Sequence, residues 1–262
     1  MNEHTLTRAA TPAPLPLLAV QDLHKAFGGV RAVDGVSFAL HAGEVLALIG
    51  PNGAGKSTTF HLLNGQLTPD AGTVRLDGHD ITGWPPERLA ARGVGRTFQT
   101  AQTLASFSVL ENVQVALLAA DGLSTDVWRR AAHHRRDEAR ALLAQVGLAA
   151  HAERACTALA YADLKRLELA MALAGAPRLL LMDEPTAGMA AAERQALMAL
   201  VRTLVRERAL GVLLTEHSMD VVFGHADRVL VMARGRLIAQ GTPAQVQANA
   251  DVQAVYLGGG LA

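Results

Sequence analysis

Gly50-Pro51-Asn52-Gly53-Ala54-Gly55-Lys56-Ser57 is the stretch that decides the fold. It satisfies the eight-position pattern of a phosphate-binding loop. It follows Val45 to Ile49, a compact apolar run bounded by Gly43-Glu44 and Gly50-Pro51, which reads as a buried strand. The glycines let backbone N–H groups curl round phosphate oxygens with no Cβ in the way. A helix expected to begin near Lys56 adds the positive end of its dipole. The Lys56 ammonium then reaches the β- and γ-phosphates, and the Ser57 hydroxyl is placed for Mg²⁺. Leu179-Leu180-Leu181-Met182-Asp183-Glu184 supplies the other half. An apolar strand ending in two carboxylates delivers them to the carboxyl edge of a sheet, where α/β folds bind ligands. Adjacent side chains diverge, so the two acids are assigned different work. Asp183 serves Mg²⁺, and Glu184 polarises an attacking water.

Outward from these motifs the chain alternates strand-like and helix-like segments from Leu17 onward. Val212 to Leu214 is another buried run, and Arg228 to Ala233 with Arg236 to Gln240 flank Arg234-Gly235, a hairpin signal. Apolar runs separated by helices predict a largely parallel α/β sheet. Gly72 to Asp77 reads as turn then strand, part of an antiparallel edge. Leu197, Leu200, Val201, Leu204 and Val205 recur on one face of a helix. Thr242-Pro243-Ala244-Gln245 offers an N-cap, a proline at N1 and a glutamine at N3, so a helix starts there. From about Val109 to Glu168 there is no strong strand signal, and the segment reads as helices inserted into the core.

Composition narrows the class. The 262 residues bury a core easily, and 50% of them are apolar. Lys plus Arg and Asp plus Glu are both 24, so the basic surplus of a nucleic-acid coat is missing; aromatics at 4% argue against base stacking, and nucleic acid is set aside as a partner. One cysteine, Cys156, forbids an internal disulfide and a cysteine-rich zinc site, and fits a reducing cytosol. It is expected to be buried. No apolar run reaches the ~18 residues of a membrane span. The first sixteen residues, with Glu3, Arg8 and three prolines, read as a flexible tail without the apolar region of a signal peptide.

With the two halves of the site in place, the chain from about Leu17 to Gly258 resembles the nucleotide-binding subunits of ABC transporters. Arg96-Thr97-Phe98-Gln99 looks like that family's Q-loop, Thr215-Glu216-His217 like its switch-histidine loop, and Pro185-Thr186-Ala187-Gly188-Met189 like its D-loop without the usual aspartate. Phe27 matches the aromatic that stacks on adenine, although an aromatic read alone is more often a core residue. The resemblance implies a P-loop NTPase (RecA-like) α/β core with an antiparallel β edge and an inserted helical subdomain. The core is expected over 17–98 and 176–262, and the helical part over 99–175. It implies ATP held by Phe27, Asn52, Gly53, Ala54, Gly55, Lys56, Ser57 and Thr58, with Mg²⁺ on Ser57, Gln99 and Asp183. Glu184, His217 and Lys56 would carry catalysis. Transmembrane permeases, a second ATPase subunit and, indirectly, a periplasmic solute-binding protein would be the partners, at the cytoplasmic face of the inner membrane.

Phe27-Gly28-Gly29-Val30-Arg31-Ala32-Val33-Asp34, Arg96-Thr97-Phe98-Gln99 and the ending from Gly241-Thr242-Pro243 through Asn249 to Val255-Tyr256-Leu257-Gly258 resemble the ATPases of branched-chain amino-acid importers most closely. Urea and short-amide importers share much of this pattern. A chromosome or repair ATPase would need a long coiled-coil insertion, for which residues 58–158 are too short. A translation factor usually carries two nucleotide domains, and this chain has one P-loop. A regulatory subunit that binds ATP without hydrolysing it fits poorly with the presence of Gln99, Glu184 and His217.

One segment departs from the family. Its signature normally reads Leu-Ser-Gly-Gly-Gln; here Leu159-Ala160-Tyr161-Ala162-Asp163 stands in that place, ahead of a family-like Lys165-Arg166-Leu167-Glu168-Leu169-Ala170. In the family this segment contacts the γ-phosphate held by a partner subunit. Ala160 lacks the hydroxyl, and Ala162 adds a methyl. Asp163 either brings charge toward that phosphate or acts as a helix N-cap. The departure implies pairing with a different ATPase subunit. Arg129, Arg130, His133, His134, Arg135 and Arg136 form a basic cluster, read as a solvated helix face interleaved with Asp137 and Glu138, with anionic lipid or a neighbouring subunit as the other reading.

Overall fold

The computed structural model describes residues 15–122 and 135–257. The tail expected over 1–16 lies outside them except for Leu15 and Pro16. So do Arg129, Arg130, His133 and His134 of the basic cluster. Within the description, Arg135 pairs with Glu138 and Asp121, and Arg136 pairs with Glu153. These two cations are therefore neutralised by acids of their own chain.

Two sheets form the body. The larger has six strands in the order β10-β9-β3-β8-β7-β6. These are β3 (Val45–Ile49), β6 (Val94–Thr97), β7 (Leu179–Asp183), β8 (Gly211–Thr215), β9 (Arg228–Ala233) and β10 (Arg236–Gly241). All neighbours run parallel except the β9–β10 hairpin. The smaller sheet is antiparallel, in the order β2-β1-β4-β5, with β1 (Leu18–Phe27), β2 (Val30–Leu40), β4 (Ala71–Leu76) and β5 (His79–Asp80). The edge expected around Gly72 to Asp77 is thus a strand of a complete second sheet.

The central strands show why their sequences are almost wholly apolar. Val45, Ala47 and Ile49 of β3 belong to one buried cluster, while Leu46 and Leu48 belong to the other. Leu180 and Met182 of β7 against Leu179 and Leu181 repeat the division. Each strand is covered on both faces, so no alternation with polar residues survives. One face packs on the smaller sheet and on α1 (Lys56–Leu63). The other packs on helices.

Those helices are α3 (Val109–Ala120), α4 (Arg136–Gln145), α5 (Tyr161–Leu173) and α6 (Ala191–Arg208), with the short α2 (Pro86–Ala91) beside β6. Ser108 caps α3 reciprocally with Glu111. Leu197, Val201, Leu204 and Val205 form the buried stripe of α6, with Leu200 half-buried against it. Cys156 is buried in the same cluster. α7 (Met219–His225), α8 (Pro243–Gln247) and α9 (Ala250–Leu257) close the chain, and Thr242 caps α8 with Gln245 as its motif predicts.

Candidate functional site

Residues 50–55 link β3 to α1. Gly50 has φ +155°, and a Cβ there would lie 2.3 Å from the Met232 carbonyl oxygen. Gly55 has φ +101°, and its Cβ would lie 2.2 Å from the Ala32 carbonyl oxygen. Neither position admits a side chain, so the backbone is bare at both ends of the loop. Gly55 is also the N-cap of α1 and provides no side-chain acceptor. The open end of a helix behind a glycine loop is a cradle for a polyphosphate, and the residues present fit that group. Asn52, Gly53 and Ser57 are exposed and Thr58 is half-buried. Ala54 turns its methyl into the core and its N–H to the Pro51 carbonyl at 3.2 Å.

The Lys56 ammonium is buried and donates to the carbonyls of Gly50 at 2.8 Å and Pro51 at 3.1 Å. Burial pulls its pKa below the ordinary lysine value, and the carboxylates of Glu184 and Asp183 oppose that shift. A cation held by neutral carbonyls gains by exchanging them for phosphate oxygens.

The acid pair occupies the carboxyl end of β7. Asp183 ends the strand, and Glu184 takes φ +45°, a left-handed conformation rare outside glycine. That reversal aims the two side chains apart. The Thr215 hydroxyl joins them: it donates to Asp183 Oδ1 at 2.7 Å and accepts the Glu184 N–H at 3.1 Å. The Glu184 carboxylate is met on both oxygens. Gln99 Nε2 donates to Oε2 at 2.9 Å, and His217 Nε2 lies 3.0 Å from Oε1. Gln99, Glu184 and His217, far apart in sequence, thus converge on one carboxylate.

Each converging loop is held by a buried carboxylate that the sequence motifs do not single out. Glu216, 3% exposed, accepts the Thr186 N–H at 3.0 Å and its hydroxyl at 2.6 Å. It also accepts the N–H groups of His217 at 3.1 Å and Ser218 at 3.3 Å. The loop after Glu184 and the loop carrying His217 are therefore tied together. Glu168 of α5 accepts the Phe98 N–H at 2.7 Å, beside Gln99. The sequence signal for both was a glutamate beside or within a strongly apolar segment.

Phe27 is not a core residue. It ends β1 with 47% exposure, and Lys25 Nζ lies 5.8 Å from its ring centroid. In the departing segment, α5 begins at Tyr161 and its N-cap is Ala160, which offers no side-chain acceptor. The N-cap reading of Asp163 is therefore corrected. Asp163 falls at the third helical position, and its carboxylate lies 3.9 Å from His151 Nδ1. Tyr161 is exposed and faces Gly188.

A cleft of about 770 Å³ opens between α2 and β6 on one side and α3 and α5 on the other. Leu89, Val94, Ala116, Ala119 and Met171 make much of its wall apolar. Arg96 and Phe98 also line it, with the guanidinium 4.3 Å from the ring centroid. Arg96 Nε is buried without a hydrogen-bond partner, and Arg96 makes no ion pair among the described residues. Burial lowers its pKa, opposed by the charges of Asp183 and Glu168.

Comparison with known proteins places this geometry in context. A family model described as ABC transporter matches residues 33–187, and one described as branched-chain amino acid ATP-binding cassette transporter matches residues 236–262. The chain is 40% identical over 250 residues to the high-affinity branched-chain amino acid transport ATP-binding protein LivG of Salmonella typhimurium, covering 93% of this chain and 98% of that protein. It is 34% identical over 241 residues to the lipopolysaccharide export system ATP-binding protein LptB of Escherichia coli K12, covering 92% and 97%. The solved ADP conformation of MJ1267, an ATP-binding cassette of an ABC transporter, superposes with a TM-score of 0.85 at 31% identity, over 94% of this chain and all of that one.

Proposed function

The chain belongs to the ATP-binding subunits of ABC transporters, an ATPase family, and from that premise we propose that it energises import of branched-chain or other hydrophobic amino acids through separate membrane permeases. The observation that carries the catalytic part is the Glu184 carboxylate held between Gln99 and His217. The observation that favours amino acids is the match of residues 236–262 to the branched-chain transporter model, together with the higher identity to LivG than to LptB.

The placement of these residues supports the following division of tasks. The N–H groups of Asn52, Gly53, Gly55, Lys56, Ser57 and Thr58 and the Lys56 ammonium hold the β- and γ-phosphates, Ala54 shapes the loop through its N–H bond to the Pro51 carbonyl, and Phe27 offers its exposed ring to the adenine. Ser57, Gln99 and Asp183 would hold Mg²⁺ through hard oxygen donors, with Asp183 the carboxylate of the set, as suits an ion commonly bound by one or two carboxylates together with phosphate oxygens and waters. When bound, Mg²⁺ neutralises charge on the transferring phosphoryl group. Glu184 accepts the proton of the attacking water, and His217 orients it. Thr215 keeps Asp183 and Glu184 in their divergent poses.

The cleft beside Phe98 receives a cytoplasmic helix of a permease. Its apolar wall accepts the helix face, and Arg96 pairs with a carboxylate on that helix. Among the described residues no helix is long and apolar enough to cross a membrane, and the pore belongs to the permeases. The protein then sits at the cytoplasmic face of the membrane, with residues 99–175 as the unit that tilts. A periplasmic solute-binding protein delivers the solute, and a second, different ATPase subunit completes the nucleotide sites. The test is reconstitution with the cognate permeases and binding protein. Leucine, isoleucine or valine should stimulate ATP hydrolysis and be accumulated; stimulation by urea or short amides alone would overturn the amino-acid assignment.

A further inference from the structure

The geometry points to the buried Lys165–Glu168 pair of α5 as a positioning device that ties the start of that helix to the Glu184 carboxylate through the backbone of residues 98–99. Lys165 and Glu168 are 2% and 4% exposed and lie one turn apart, 3.4 Å from each other. Their bonds do not join helix to helix. Lys165 Nζ donates to the Phe98 carbonyl at 2.7 Å and to the Gln99 carbonyl at 2.7 Å. Glu168 Oε1 accepts the Phe98 N–H at 2.7 Å; burial raises the pKa of this carboxyl, opposed by the Lys165 charge and by the N–H groups of Phe98 and Gln102.

The held segment lies beyond the end of β6, outside any helix or strand. Its backbone groups have no ladder to satisfy them, and a buried peptide group without a partner is costly. A buried ion pair kept only for stability is commonly replaceable by apolar residues without loss. This one has further work, because it satisfies three backbone groups on either side of the residue whose side chain reaches Glu184 at 2.9 Å. The line of contact runs from the first turn of α5, where Tyr161 is exposed, through Lys165 and Glu168, to the Phe98 and Gln99 backbone, and then through the Gln99 amide to the base. Phe98 also lines the cleft against Arg96, so a helix seated there bears on the same peptide group. A shift of α5 or of the cleft wall moves Gln99 relative to Glu184 without touching the phosphate loop.

The device rests on the roles proposed above for Gln99 and Glu184. The variant Lys165→Met/Glu168→Met keeps side-chain volume and leaves no unpaired buried charge. Hydrogen exchange on this chain should then show the Phe98 and Gln102 amides, the two that face Glu168, exchanging at least tenfold faster. The ATP dissociation constant should stay within twofold. In the assembled transporter kcat should fall at least tenfold with KM for ATP unchanged, and Lys165→Arg alone should keep wild-type values. If the double variant does not fold, Glu168→Gln is read by the same three measurements. Unaltered exchange, or kcat and nucleotide affinity falling together with thermal stability, would overturn the positioning role. Glu184→Gln in the same transporter separates the two failures: wild-type turnover there would remove the base assignment, whereas an inactive Glu184→Gln beside a fully active double variant would remove the device alone.

Discussion

Glu184 illustrates how a single residue is prepared for chemistry. Its left-handed backbone costs on the order of 1–3 kcal/mol and persists because Thr215 and the surrounding loops over-determine it. Glu184→Gln preserves shape and the amide contact surface while removing the proton acceptor. ATP binding should remain, and turnover should fall by the roughly 10²–10⁴-fold typical of a lost general base. Steady-state ATPase and equilibrium binding read the two separately. Lys56→Ala should show the reverse order, with nucleotide affinity lost first. Lys56 also sets a pH dependence. Burial holds its pKa below the ordinary 10.5, and a bound polyphosphate raises it again. ATP binding should therefore take up a proton at alkaline pH, between the lowered free value and the raised bound value, and affinity should weaken as pH rises through that window. Calorimetry in buffers of different ionisation enthalpy measures the uptake; its absence would mean that Lys56 does not meet the phosphates.

Elements place these residues by stops and starts. β7 ends at Asp183 and β8 at Thr215, paired in parallel register, so the acid pair and its hydroxyl clamp emerge side by side. β6 ends one strand away, which lets the Gln99 loop approach from the edge. α3 starts on the Ser108 capping box, which fixes where the loop from Gln99 must finish. That loop and α3 border the cleft assigned to a permease helix. Cysteines placed singly at Ala90, Ala119 or Ala120, which are exposed and line the cleft, should cross-link to a permease cytoplasmic helix, with a yield that changes on adding ATP. A yield indifferent to nucleotide would leave the contact and remove the coupling.

For the whole molecule the consequence lies in assembly. The phosphate loop, Asp183, Glu184 and His217 are all in place, while Ala160 caps α5 without a hydroxyl and Asp163 sits at the third helical position. If the start of α5 completes a partner's nucleotide site, the missing hydroxyl removes a hydrogen bond to a charged oxygen worth about 1.5–3 kcal/mol. At roughly 1.4 kcal/mol per tenfold, that slows the partner's site by about tenfold to a hundredfold. A homodimer would carry the deficit twice, which favours pairing with a different subunit. In a reconstituted pair, Glu184→Gln here should stop most ATP turnover, and the equivalent change in the partner should cost much less. Equal losses would contradict the asymmetry, and full activity of this chain as a homodimer would contradict the pairing.

The sequence alone determined the features made by neighbouring residues. Gly50 to Ser57 names its own loop because glycine spacing and one lysine suffice for the cradle. Leu179 to Glu184 names its strand because a run buried on both faces must be apolar up to the point where it meets ligand. The capping pattern at Thr242 to Gln245 is equally local. What tertiary structure decided is made by residues far apart in the chain. Glu168 acquires its partner 70 positions away, Glu216 binds Thr186 across 30, and Gln99 meets Glu184 across 85. None of these pairs has a periodicity to betray it, since a buried carboxylate is defined by the donors that fold around it. The Asp163 correction has the same cause: where α5 starts depends on the packing of Leu159 and Ala162 against the core, which moves the cap to Ala160. Phe27 is exposed because β1 ends at the rim of the smaller sheet, which only the pairing of β1 with β2 and β4 establishes.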